Sequence, residues 1–205
     1  MHRWRGVKYS RQVLAGLVLV PTLLFERARW RRTLAAKDRA ERLAFSDSLT
    51  TIANRRKFDH DLDETLSAKL DVGVVAVAMF DVDHFKEYND ANGHIAGDEA
   101  LRIIAQLISS NVRSDDVVYR YGGEEFAALL IGATEAEAVR VAERVRAAIA
   151  NHVFPGAESQ PDGRITVSAG VAMTPPEQAA DMMRAADEAL YSAKAAGRNQ
   201  VSIAH

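Results

Sequence analysis

Hydrophobic positions along this chain fall into two kinds of pattern. Val72 to Phe80 (VGVVAVAMF) is an unbroken, valine-rich apolar run. It predicts a central strand buried on both faces. Val117–Tyr119 and Phe126–Ile131 are shorter runs joined across Gly122-Gly123. They predict a hairpin whose paired glycines supply the positive φ of a tight turn. Ile165–Ala172 and Val201–Ile203 predict two further strands. Elsewhere the spacing is helical. Phe58, Leu62 and Leu66 lie in a helix from about Asn54 to Leu70, with Ser46–Thr50 as its cap. Leu101, Ile104, Leu107 and Ile108 mark a helix over Ala100–Ser109. Thr134 caps one that runs to about Ala150, with Ala138, Val141, Ala142, Val145 and Ile149 inward. Gln178–Ala195 forms the last helix, stopped by Gly197, and residues 151–163 read as a loop. The order β-α-β-β-α-β, then a helix and a strand, predicts an α+β fold of ferredoxin-like, palm-type design. Its antiparallel sheet has helices packed around it, and the pattern itself places them on one face.

The first 45 residues differ from the rest. They carry net charge +8, against −10 for residues 46–205. Val13–Phe25 is uncharged and apolar, interrupted by Pro21 and flanked by arginines. It falls short of the roughly 20 residues that span a bilayer. Three uses fit it: the end of a membrane span, an interfacial anchor, or a helix on a partner. Arg31–Phe45 reads as a helix, either a short dimerising one or a plain connector. The expected organisation is a basic arm over 1–45, with membrane contact through residues 1–32, and a catalytic domain over 46–205. The expected location is cytoplasmic, at the inner face of the membrane. An acidic body does not suit a protein that coats nucleic acid. The absence of cysteine removes disulfides and thiolate chemistry.

Two features carry candidate chemistry. Asp81 ends a buried strand, where a carboxylate is costly without a partner. Asp83 beside it reads as a helix N-cap. Glu124 and Glu125 follow the glycines of the hairpin, pointing to opposite faces. In the predicted sheet Asp81 and Glu124 lie on neighbouring central strands. Two converging carboxylates suit metal-assisted phosphoryl transfer.

Five motifs in order then resemble the GGDEF-domain diguanylate cyclases, over about residues 46–203. They are Asp47-Ser48-Leu49-Thr50 with Asn54-Arg55-Arg56; Phe80-Asp81-Val82-Asp83-His84-Phe85-Lys86 with Asn89-Asp90; and Gly93-His94 with Gly97-Asp98-Glu99. The others are Arg120-Tyr121-Gly122-Gly123-Glu124-Glu125-Phe126 and Ala186-Asp187-Glu188-Ala189-Leu190-Tyr191 running to Lys194 and Gly197-Arg198-Asn199. The resemblance implies an Mg²⁺- or Mn²⁺-dependent enzyme that joins two GTP into cyclic di-GMP, releasing two pyrophosphates, as a homodimer. Asp81, the Val82 carbonyl and Glu124 match the metal ligands. Glu124 is also the candidate base, Glu125 an accessory group, and Lys86 the transition-state lysine. Asn89 and Asp98 match the guanine readers, and Lys194 and Arg198 the triphosphate holders.

Arg113 and Asp116 have the spacing of the family's RxxD product-inhibition site, with Arg144 as a further contact; the alternative is a surface ion pair. Two positions depart from the family's usual Leu-Thr-Gly-Leu-Pro-Asn-Arg, where this chain has Thr51 and Ala53. No sensor domain is recognisable ahead of the cyclase motifs. Two other functions fit the residues less well: a catalytically dead sensor of GTP or cyclic di-GMP, and an interaction module recruited by its arm.

Overall fold

All eight residues of strand β2, Val75–Val82, are buried, so the sheet it centres needs a cover on each face. Ala76, Ala78, Phe80 and Val82 belong to one apolar core, and Val75, Val77 and Met79 to a second. The computed structural model describes residues 27, 29–32, 43–67, 74–174 and 179–204.

The element order is β1 (Ala53–Asn54), α1 (Arg55–Ser67), β2, α2 (Phe85–Asn92), α3 (His94–Ser110), β3 (Val117–Arg120), β4 (Glu125–Ile131), α4 (Glu135–Asn151), β5 (Val167–Thr174), α5 (Ala179–Ala195) and β6 (Val201–Ile203). The strands form one six-stranded sheet in the order β1-β3-β4-β2-β5-β6. Its four central strands are antiparallel, and β1 and β6 join the edges in parallel.

The expected β-α-β-β-α-β core is present. Its helices α3 and α4 pack on one face through Leu101, Ile104, Ile108, Val145 and Ile149. The expectation that helices keep to one face is corrected. Phe58 and Leu62 of α1 and Met182, Ala186 and Leu190 of α5 cover the other face. A β2 that is apolar on both sides demands that second layer. Helix α5 lies directly on β5. A Cβ at Gly170 would come within 2.2 Å of the Ala186 carbonyl oxygen, so only glycine permits that approach.

Three local readings also change. Helix α2 falls in a stretch that shows too few apolar residues to announce a helix; only Phe85 and Tyr88 are buried. Asp83 is not its N-cap. His84 holds that position at φ 56, without a side-chain capping bond. The cap of α1 is Asn54, whose Oδ1 accepts from the Lys57 N–H at 3.0 Å, and not the Ser46–Thr50 segment. The cap at Thr134 is as expected, and it forms a full capping box with Glu137.

The chain divides into two compact units, Met1–Ala44 and Phe45–His205. In the first, Arg27 and Arg29–Arg32 are helical, as are Leu43 and Ala44. The apolar run Val13–Phe25 lies outside the described residues. Among those described, no helix is long and apolar enough to cross a membrane.

Candidate active site

Asp81 sits at the end of β2, 8% exposed, and Glu125 faces it across the β2–β4 ladder. The Val82 N–H donates to the Glu124 carbonyl at 3.2 Å, so the backbone itself fastens Glu124 beside the Asp81 strand end. The turn between β3 and β4 is not the predicted tight one. Neither Gly122 nor Gly123 is among the positive-φ residues. Four residues, Tyr121–Glu124, make the loop, and the Tyr121 and Gly122 N–H groups both donate to the Glu125 carbonyl. Only Gly122 serves space instead. A Cβ on Gly122 would lie 2.2 Å from a Glu125 carboxylate oxygen, and the position at Gly123 is open.

Arg120 holds this loop to the start of the domain. Its Nε and Nη2 donate to the Gly123 carbonyl at 3.2 and 2.7 Å, and its Nη1 to both Asp47 oxygens at 3.1 and 3.2 Å. Asp47 also accepts from the Thr50 N–H and hydroxyl, at 2.8 and 2.7 Å. Burial opposes the Asp47 charge, but Thr50 and Arg120 outweigh it and hold its pKa below the ordinary value. Thr51, where the family pattern has glycine, takes a left-handed φ of 63.

Asp81 meets a lysine. Lys194, in the last turn of α5, lies 2.8 Å from Asp81 Oδ1. Burial raises the pKa of Asp81, against the pull of Lys194. Burial and then the Asp81 charge raise that of Glu124. The site therefore gathers more negative charge than one lysine balances, with hard oxygen donors that suit a divalent cation. A separate trio, His60, Asp61 and Glu64, brings donor atoms within 4.8 Å of one another. Asp61 there already pairs with Lys57 and accepts from the Tyr119 hydroxyl at 2.8 Å.

Sequence reasoning missed the role of Asp83. Its buried carboxylate accepts from the Thr166 hydroxyl and the Ser168 hydroxyl, both at 2.7 Å, and from the Asn199 N–H at 3.1 Å. Gly197, Arg198 and Asn199 all have positive φ, at 120, 66 and 46. Asp83 thus ties the turn carrying Arg198 to the end of β2. The signal was available in Thr166 and Ser168, two hydroxyls at strand spacing.

Lys86 is exposed in the first turn of α2. Asn89 Oδ1 is buried with no hydrogen-bond partner. It lies where a Cβ on Gly97 would be, 1.8 Å away, so it packs beside the residue that precedes Asp98. Asp98 is exposed and does not cap α3, whose N-cap is Gly93.

The remaining residues meet elsewhere, at the loop between α3 and β3. Arg113 Nη2 pairs with Glu137 Oε1 at 2.9 Å, not with Asp116. Asp116 Oδ2 instead accepts the Arg113 N–H at 2.9 Å. Arg144 Nε donates to the Asn111 carbonyl at 3.0 Å. The Thr134 N–H, then Arg113, then the Thr134 hydroxyl bring the Glu137 pKa down to about 2.

Against known proteins, residues 44–200 match the family model "Diguanylate cyclase, GGDEF domain". The response regulator PleD of Caulobacter vibrioides is 40% identical over 167 residues, 80% of this chain and 37% of that protein. Diguanylate cyclase DosC of Escherichia coli is 40% identical over 159 residues, 77% of this chain and 34% of that protein. The chain thus spans little more than a third of these relatives. Among solved structures, the coiled coil and GGDEF domain of DgcB from Caulobacter crescentus, in complex with c-di-GMP, superposes with a TM-score of 0.80 at 32% identity. That match covers 91% of this chain and 99% of the other. SiaD of Pseudomonas aeruginosa, in complex with its activator SiaC, gives a TM-score of 0.73 at 30% identity, over 94% of this chain and 75% of the other.

Proposed function

This chain belongs to the GGDEF diguanylate cyclase domain family, and on that premise we propose that it condenses two GTP into cyclic di-GMP, releasing two pyrophosphates. The observation that carries the proposal is the buried Asp81 at a strand end, across from the Gly-Gly-Glu-Glu loop and paired with Lys194 at 2.8 Å. In each half-reaction the 3′-hydroxyl of one GTP attacks the α-phosphorus of the other, and the bond to pyrophosphate breaks. Each protomer holds one GTP, so the reaction needs a homodimer.

Asp81, Glu124 and the Val82 carbonyl would hold Mg²⁺ or Mn²⁺. The oxygen-only donor set and the raised carboxylate pKa values suit such an ion. A bound cation would lower the pKa of the attacking hydroxyl and neutralise phosphate charge. Glu124 accepts the hydroxyl proton, and Glu125 adds its carboxylate to the metal and phosphate site. Lys86 stabilises the charge that develops on the α-phosphoryl oxygens. Lys194 and Arg198 hold the triphosphate tail. Asn89 and Asp98 read guanine. An aspartate accepts from N1–H and N2–H₂, which adenine cannot offer together, so ATP leaves an acceptor unpaired.

Arg113, Asp116 and Arg144 form the product site, where a guanidinium meets phosphate and a carboxylate meets a guanine edge. The basic residues of 1–32 suit an anionic membrane surface on the cytoplasmic side. Co-sedimentation with anionic and neutral vesicles, with and without those residues, tests that placement.

The central test is a chromatographic product assay with GTP and Mg²⁺, wild type beside Glu124→Gln. Cyclic di-GMP from the wild type, with a loss of at least about 100-fold in the variant, is expected. No product from a wild type that still binds GTP would overturn the reading in favour of a sensor.

A further inference from the structure

We propose that Glu137 is an internal competitor for Arg113: it occupies the guanidinium that a phosphate of cyclic di-GMP would take, and so sets the product concentration at which feedback begins. The inference rests on the reading of Arg113 and Asp116 as a product site.

The carboxylate is placed for this by the helix it starts. Glu137 is the third residue of α4, and its Oε2 accepts from the Thr134 N–H and hydroxyl, both at 2.9 Å. That leaves Oε1 for Arg113 Nη2, 2.9 Å away and 24 positions back in the chain. The capping box has already ordered the glutamate, so holding Arg113 loses little further side-chain freedom. The other recognition groups are likewise engaged within the chain. Asp116 accepts the Arg113 N–H, and Arg144 donates to the Asn111 carbonyl.

A carboxylate and a phosphodiester are alternative anions for one guanidinium fork. The Arg113 side chain is 57% exposed, so the exchange needs no opening of the core. Exposed ion pairs are weak, so Glu137 shifts the threshold and does not close the site.

Calorimetric titration of the full chain with cyclic di-GMP, after removal of bound nucleotide, tests this. Wild type, Glu137→Gln, Arg113→Ala and the double variant are compared. Glutamine keeps an oxygen for the capping box while removing the charge. Glu137→Gln is expected to tighten binding by about two- to fivefold, and to do so only when Arg113 is present. The advantage should shrink as salt rises. Unchanged or weaker binding by Glu137→Gln, with Arg113→Ala clearly impaired, overturns the role of Glu137 alone. Arg113→Ala binding like wild type overturns the product site itself, and the inference with it.

Discussion

Lys194 Nζ lies 2.8 Å from Asp81 Oδ1, so one proposed phosphate-binding lysine rests on one proposed metal ligand. The two roles oppose each other until nucleotide arrives. A cation held by Asp81 would compete with the Lys194 ammonium for the carboxylate, and a triphosphate would offer that ammonium another partner. Lys194→Met should tighten Mn²⁺ binding severalfold in the absence of nucleotide. It should also weaken GTP binding about tenfold, the scale of one lost charged hydrogen bond. Calorimetry with metal alone, then with GTP, checks both arms. Weaker metal binding in the variant would contradict the coupling.

Thr51 adopts φ 63, a conformation that opposes a β-branched side chain. It is exposed, so its side chain gains little from burial in return. Thr51→Gly should stabilise the domain by about 1 kcal/mol, despite the entropy glycine adds to the unfolded chain. Urea unfolding measures this. A destabilised variant would mean that the threonine makes compensating contacts.

Asp83 accepts three hydrogen bonds from donors that come from the approach to β5, β5 itself and the α5–β6 turn. Asp83→Asn places an amide among donors and should cost about 1–3 kcal/mol. Because the Asn199 N–H is one of those donors, the adjoining Arg198 should lose its position. The KM for GTP is expected to rise more than kcat falls. A stability loss with unchanged KM would make Asp83 structural only.

Glu137 titrates near 2 because Thr134 and Arg113 favour its charged form. A depressed carboxylate contributes stability above its unfolded pKa and loses that contribution as pH falls through the folded value. Glu137→Gln should therefore be less stable than wild type at neutral pH. The difference should close between pH 4.5, the ordinary value, and about 2. Urea midpoints at neutral and acid pH give the answer. A gap that does not change with pH would place the effect in the cap and not in the charge.

Periodicity alone determined most of the elements here. A short, valine-rich run such as Val72–Phe80 reads as a doubly covered strand by its length and β-branched content, and inward residues such as Ala138, Val141 and Val145 follow from helical spacing. Asp81 and Glu124 were also legible as candidates, because costly polar residues stand out against apolar runs, whereas Lys194 entered only through the resemblance of its motif to the family. What the tertiary structure decided was partnership. Arg113 chose Glu137 over the nearer Asp116, and Asp83 chose two hydroxyls and a distant N–H over the helix beside it. Arg120 joined Asp47 to Gly123 across 73 and 3 positions. Hydrogen bonds and ion pairs are short-ranged, so which groups meet depends on how strands register and helices cross. The covering of the second sheet face by α1 and α5 was decided in the same way, since periodicity shows that a residue points inward but not against which neighbour.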